Sequence, residues 1–248
     1  MNMAMPLCSK YPVFWSGGAS DRQTFPGRKP TFGPEENLVR DFISRLQIQT
    51  PRGHKVALFK EPWLQSGAPD LVAVIWQPQR DSMWKPERLE LGAMDLRILH
   101  WLVCSGLTPH SELVRIFGTK AHKSVDRLGA AEMIRTSKKT VQARPLSKLF
   151  AIKRIYAIEA KVSQLPIGLE QASLNRWFAQ KSFILVPQLP RGSVFFDRAC
   201  DLGVGVWCAE DAALDAREIH HDDGRPLSYA SWLFNEWILR AQIGGDYC

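Results

Sequence analysis

Apolar residues recur along this chain at two distinct periods. Leu38, Val39, Phe42, Ile43 and Leu46 return every three or four positions, the spacing that lines one face of a helix, and Pro34 stands where a helix can begin. Residues 56–59 and 69–76 (PDLVAVIW) are short β-branched-rich runs separated by Gly67, which predicts two buried strands joined by a loop. Proline and charge fill 78–90. The helical period returns over 93–104, 110–117 and 119–132, broken at 106–109 and at Gly118. Residues 133–141 then hold short β-compatible pieces on either side of a Lys138-Lys139 turn.

The second half alternates in the same way. Residues 149–161 (LFAIKRIYAIEAK) predict a strand ending in charge, 168–180 a helix, 182–187 (SFILVP) a strand, 194–202 a helix and 204–207 a last strand. Alternation of this kind is what α/β layering requires. The two ends differ. Residues 1–34 carry Pro6, Pro12, Gly17, Gly18, Pro26, Gly27, Pro30, Gly33 and Pro34, a density of breakers that predicts an irregular arm, with Phe14 and Trp15 apolar enough to dock. From Pro226 onward, Tyr229, Trp232, Phe234, Trp237 and Leu239 mark an aromatic-rich helix, 226–248, to which the pattern assigns no role.

Charge changes the picture by its position more than by its sum. The 248 residues carry a formal net charge of +7. Between Glu112 and Arg154 there are eleven Lys and Arg against three acids, a net of +8, so the rest is near neutral. A concentrated basic block favours a polyanionic partner. Five cysteines, odd in number and scattered, fit neither a disulfide framework nor a zinc module, which points to a reducing cytoplasm. No apolar run approaches the roughly 18 residues that span a bilayer, and no membrane association is expected.

Candidate chemistry lies at the strand ends. Asp70 opens one apolar strand, and Glu159 and Lys161 close another. Hydrolysis of a phosphodiester needs a hard cation to neutralise developing charge and acidify a water, and carboxylate oxygens are its natural ligands. A lysine two positions after the second carboxylate shares its strand face, where it can orient the water and stabilise the transition state.

These residues resemble the PD-(D/E)xK nuclease superfamily: Pro69-Asp70 before LVAVIW is similar to its first motif and Ile158-Glu159-Ala160-Lys161 to its second. The resemblance implies an α/β fold, a restriction-endonuclease-like core with a central mixed β-sheet flanked by helices. It further implies a Mg²⁺-dependent DNA endonuclease, with Mn²⁺ as a possible substitute, Asp70 and Glu159 as metal ligands and Lys161 at the nucleophile. Glu35, opening E-x-x-L-V-x-x-F, resembles the family's helix glutamate, with Glu36 the competing choice. Gln171 falls where many members have a site-facing glutamine, and Ser163 resembles the Holliday-junction-resolvase branch. A homodimer is implied only by the family's habit of cutting two strands. One departure is plain: Asp70 and Glu159 lie 89 positions apart, where the family joins these strands by a short hairpin. The domain reading is therefore an arm over 1–34, a discontinuous core over 35–88 and 149–225, an insert over 89–148 and the helix over 226–248.

The insert, three short helices followed by a basic hairpin, resembles in pattern a winged helix-turn-helix. Lys120, Lys123, Ser124 and Arg127 follow i, i+3, i+4, i+7 spacing and predict a polar-basic stripe suited to a major groove. Arg135, Lys138, Lys139 and Arg144 would form a wing against phosphates. An ordinary solvated helical insert is the bland alternative. At the level of function the alternatives are a regulatory DNA-binding protein on a nuclease scaffold and a resolvase of branched DNA. His54, His100 and His122 read as surface or packed residues, and His220-His221-Asp222-Asp223 as a polar loop rather than a second metal site.

Overall fold

A computed structural model describes residues 9–15, 25–28, 32–65, 67–78, 84–215 and 228–243. The chain is α/β and divides into two compact units, one of residues 1–77 and 153–226, the other of 78–152 and 227–248.

The first unit is built on a six-stranded mixed sheet. Its strands are β1 (Val13–Trp15), β3 (Lys55–Lys60), β4 (Leu71–Trp76), β8 (Ile152–Ala160), β9 (Lys181–Val186) and β10 (Gly205–Cys208), in the spatial order β1-β3-β4-β8-β9-β10. β3 and β4 are antiparallel, whereas β8, β9 and β10 run parallel to one another. The parallel strands need helical crossovers, and α6 (Leu165–Leu174) and α7 (Val194–Asp201) supply them.

Alternation along the strands sorts the apolar side chains onto two faces. On one, α1 (Pro34–Arg45) packs Leu38, Val39, Phe42 and Ile43 against Leu58, Ile75, Ile158, Leu185 and Trp207. Phe42 meets Trp207 edge-on at 4.8 Å. On the other, Ile184 and Val186 of β9 pack with Leu169, Ala172, Ala199 and Val204. The helical face read from the sequence at 38–46 is thus the one that buries.

Two local expectations are corrected, and one strand pairing had no counterpart among them. The N-terminal arm is not irregular throughout, because β1 pairs in parallel with β3 and Phe14 is buried beside Phe59. The helix expected over 168–180 starts earlier, at Leu165, and gives way at Asn175 to a 3-10 turn, where Asn175 is itself buried. A short parallel pair between β2 (Gln47–Gln49) and β11 (Ala213–Asp215) was invisible in the pattern, since strands of three residues are too short to carry a period.

The second unit contains α2 (Ala93–Ser105), β5 (Thr108–Pro109), α3 (His110–Phe117), α4 (Lys120–Ala130), β6 (Ile134–Thr136), β7 (Thr140–Ala143), α5 (Leu146–Leu149) and α8 (Tyr229–Ile243). Its three strands form an antiparallel sheet in the order β5-β7-β6. The aromatic helix acquires a structural role here: Trp232, Phe234 and Trp237 of α8 are buried, and Trp232 meets Phe150 at 5.0 Å. Among the described residues no helix is long and apolar enough to cross a membrane.

A carboxylate and lysine cluster as the candidate functional site

Asp70 stands immediately before β4. Its main-chain oxygen accepts the Glu61 N–H at 3.1 Å, and its side-chain Oδ2 accepts the Ala160 N–H at 2.8 Å. The second bond ties the carboxylate to the end of β8. Glu159 lies in register with Ile184 of β9, and the Lys161 N–H continues that ladder by donating to Leu185 at 2.9 Å. Two residues 89 positions apart are therefore brought together by sheet pairing.

The lysine is held from several sides. A Cβ at Gly168 of α6 would fall 2.4 Å from Lys161 Cγ and 2.7 Å from Ile184 Cδ1, so the lysine stem occupies space that only a glycine leaves open. Its Nζ reaches Glu35, at the start of α1, at 3.3 Å and Glu159 Oε1 at 3.9 Å. Of the two acids that open α1, Glu35 is the one beside Lys161. Glu36 turns into a buried ion pair with Lys60 and lies 3.5 Å from Arg40.

Two further residues complete the cluster. Glu61, buried just beyond β3, and Arg28, half-exposed, lie beside Asp70: Arg28 Nη2 is 3.4 Å from both Glu61 Oε1 and Asp70 Oδ1. No motif flagged either residue. Gly168 was likewise missed, although a glycine inside a helical run is a signal that something approaches closely.

Among the described residues, four carboxylates thus share two cations. Burial pushes the Asp70 carboxyl up to about 6, against the opposing pull of the Ala160 hydrogen bond and of Lys161 and Arg28. Burial, followed by the negative charge of Asp70, pushes Glu159 up to about 8. Near neutrality, then, Glu159 holds a proton that a positively charged ligand could replace. Gln171 sits on the exposed side of α6, and among the described residues no hydrogen bond joins it to this cluster.

The second unit redistributes the expected basic stripe. Lys120 and Lys123 of α4 are exposed, as are Arg135, Lys138 and Lys139 around the β6–β7 turn. Ser124 is not: it is fully buried with Ala121 and Leu128. Arg127 makes two hydrogen bonds to Asp95 of α2, at 2.9 and 2.7 Å, and is committed to that contact. The stripe expectation took polarity for exposure, whereas the small serine lies on the helix face that packs. Arg144 is half-buried, its main-chain N–H bonded to Met133 at 2.9 Å. The 220–223 segment lies outside the described residues.

Against known family models, curated proteins and solved structures the chain gives no match.

Proposed function

We propose that the protein is a Mg²⁺-dependent DNA endonuclease of the PD-(D/E)xK type, with Asp70, Glu159, Lys161 and Glu35 as its site and the second unit as its grip on DNA. The observation that carries the reading is the pair of buried carboxylates, Asp70 and Glu159, next to a lysine at adjoining strand ends. Carboxyls raised in this way favour a cation, because a bound positive charge removes both the repulsion and the need for protons.

The donor set fits Mg²⁺. Among the described residues no group of three or more His, Cys, Asp and Glu could hold a metal unaided. Two carboxylates, with the remaining positions left to water and phosphate oxygens, is how Mg²⁺ is commonly bound. When bound, it would neutralise phosphate charge and acidify a water. The chain's own contributions follow from the distances. Lys161 orients the attacking water and stabilises the charge that gathers on phosphorus oxygens. Glu35, 3.3 Å from that ammonium and partly exposed, holds it in place and offers the water's proton a path to solvent. Water oxygen bonds to phosphorus as its proton leaves to solvent by way of Glu35, the opposite ester bond breaks, and the departing alkoxide takes a proton from solvent water.

The second unit supports DNA as the substrate. Three helices with a β5-β7-β6 sheet match the order of a winged helix, and the turn carrying Lys138 and Lys139 is where a wing would project. Purified protein should nick plasmid with Mg²⁺ and stop with EDTA. Asp70→Ala and Lys161→Ala should lose cutting by about a thousandfold or more while keeping DNA binding in a gel shift. Equal cutting by these variants removes the assignment. Tight sequence-selective binding with no cleavage of linear, nicked or four-way DNA would favour a regulator.

A further inference from the structure

Arg28 belongs to no motif, yet the fold holds it at the edge of the acidic cluster. Residues 26–28 run beside 61–63: Gly27 bridges Pro62, the Arg28 N–H donates to Glu61 at 3.0 Å and the Trp63 N–H to Pro26 at 3.0 Å. This short antiparallel clasp fixes the arginine backbone against the segment leaving β3. Glu61 adopts a φ of 48°, a left-handed conformation uncommon for a residue of its kind. Strained positions of this sort cluster at functional sites.

The contacts of Arg28 with the two acids are long. Arg28 meets Glu61 at 3.4 and 3.5 Å and Asp70 at 3.4 Å, longer than the roughly 2.7–2.9 Å of a tight charge-assisted bond. Its side chain is 52% exposed, whereas those of Glu61 and Asp70 are 8% and 12% exposed. A guanidinium that touches the site's carboxylates while facing solvent presents its charge to whatever anion approaches Asp70. Its planar fork matches phosphate oxygens.

We propose that Arg28 is a phosphate-contacting residue of this site, taking a non-bridging oxygen of the substrate diester, and that Glu61 positions it. The proposal rests on the phosphodiester reading above. Arg28 and Lys161 then supply side-chain charges that meet the negative charge of the pentavalent transition state. The competing possibility is a plug, in which Arg28 occupies the place of a cation at Asp70. The two differ in sign, because removing a plug would speed the reaction.

Two readouts on the full chain test this. One is single-turnover plasmid nicking in Mg²⁺. The other is binding of a thymidine dinucleotide in Ca²⁺, followed by NMR titration and requiring no turnover. Arg28→Ala should slow nicking by about 100-fold and weaken dinucleotide binding by about tenfold or more. Arg28→Lys should recover part of both, millimolar guanidinium should restore part of the Arg28→Ala rate, and Glu61→Gln should fall between. A merely structural arginine would not be rescued by free guanidinium. Should Arg28→Ala melt early, Arg28→Lys with a native melting curve carries the same comparison.

Nicking by Arg28→Ala at the wild-type rate, or faster, overturns the proposal and leaves the nuclease reading standing. Wild-type protein that never nicks but binds the dinucleotide through Arg28 keeps the phosphate contact and sinks the nuclease reading. Neither nicking nor Arg28-dependent binding removes both.

Discussion

Arg88 in the second unit and Glu159 in the first are both buried charges, and their surroundings treat them differently. Arg88, 1% exposed, gives Nε and Nη2 to the two oxygens of Glu236 at 3.1 and 2.6 Å and a further bond to the Leu149 carbonyl at 3.0 Å, with Trp84 stacked 4.8 Å away. Asn235 closes the group by donating to Glu236 and Leu149 and accepting from Ala151. The Arg88 and Glu236 charges there face each other directly, and Asn235 bonds to both Glu236 and Leu149. Glu159 has a lysine at 3.9 Å that leans closer to Glu35, and its repelling neighbour is another buried carboxylate. A cluster satisfied from within holds structure together. One left with surplus like charge is stabilised by something that comes from outside, and that contrast is what makes the first unit's cluster the candidate site.

The contrast breaks most visibly if one partner of a satisfied pair is removed. Arg88→Ala or Glu236→Ala strands the other charge in the interior and should cost about 3–5 kcal/mol of unfolding free energy in a denaturant titration. Glu36→Ala, which strands Lys60, belongs to the same class. Replacing Arg88 and Glu236 together by apolar residues of similar volume should recover most of the loss. A cost below about 1 kcal/mol for the single changes would mean that the second unit does not depend on this pair.

Glu159 should respond with the opposite sign. Its carboxyl titrates near 8 in the fold and near the ordinary value of about 4.3 in the unfolded chain, so between those values the folded state holds the extra proton. Without a cation, stability is fully present below the lower value and falls as pH rises through the window. Glu159→Gln cannot ionise and escapes that loss. At pH 8 and above it should be more stable than wild type by about 1–3 kcal/mol, and at pH 4 it should be equal, while cleavage is lost. Added Mg²⁺ should raise the wild-type melting temperature at pH 8 and leave the variant unmoved. A variant less stable than wild type at pH 8 would show that Glu159 is satisfied after all. Cleavage at low Mg²⁺ should likewise rise between about pH 6 and 8, as Asp70 and then Glu159 give up their protons.

Much of this cluster was legible because its residues sit at the ends of apolar runs. LVAVIW after Asp70 buries on every position and the strand before Glu159 on all but Lys153, and a charge at the end of such a strand stands out. Local pattern could not show which helix acid would face the lysine, since Glu35 and Glu36 both fit a first turn and only the position of Lys60 separates them. Arg28 was hidden for a different reason. It lies in a segment dense in proline and glycine, and its place depends on a three-residue clasp with no periodic signature. Ser124 shows the converse error, where regular spacing of polar residues suggested a surface and the helix packed through its smallest member.

Glu35 offers the smallest and most discriminating test. Its side chain is 40% exposed, so its pairing with Lys161 at 3.3 Å is solvated on one side and contributes little to folding. Glu35→Gln should therefore unfold within about 0.5 kcal/mol of wild type, in contrast with the neighbouring Glu36, whose loss would strand the buried Lys60 ammonium. Cleavage should still slow by about ten- to a hundredfold, because an uncharged amide holds the Lys161 ammonium less firmly and carries no proton to solvent. The slowing should appear in the single-turnover rate and leave DNA affinity unchanged. If Glu35→Gln instead lost stability without losing rate, the pair would be a structural contact like that of Arg88 and Glu236, and the division between satisfied and unsatisfied clusters would have to be drawn elsewhere.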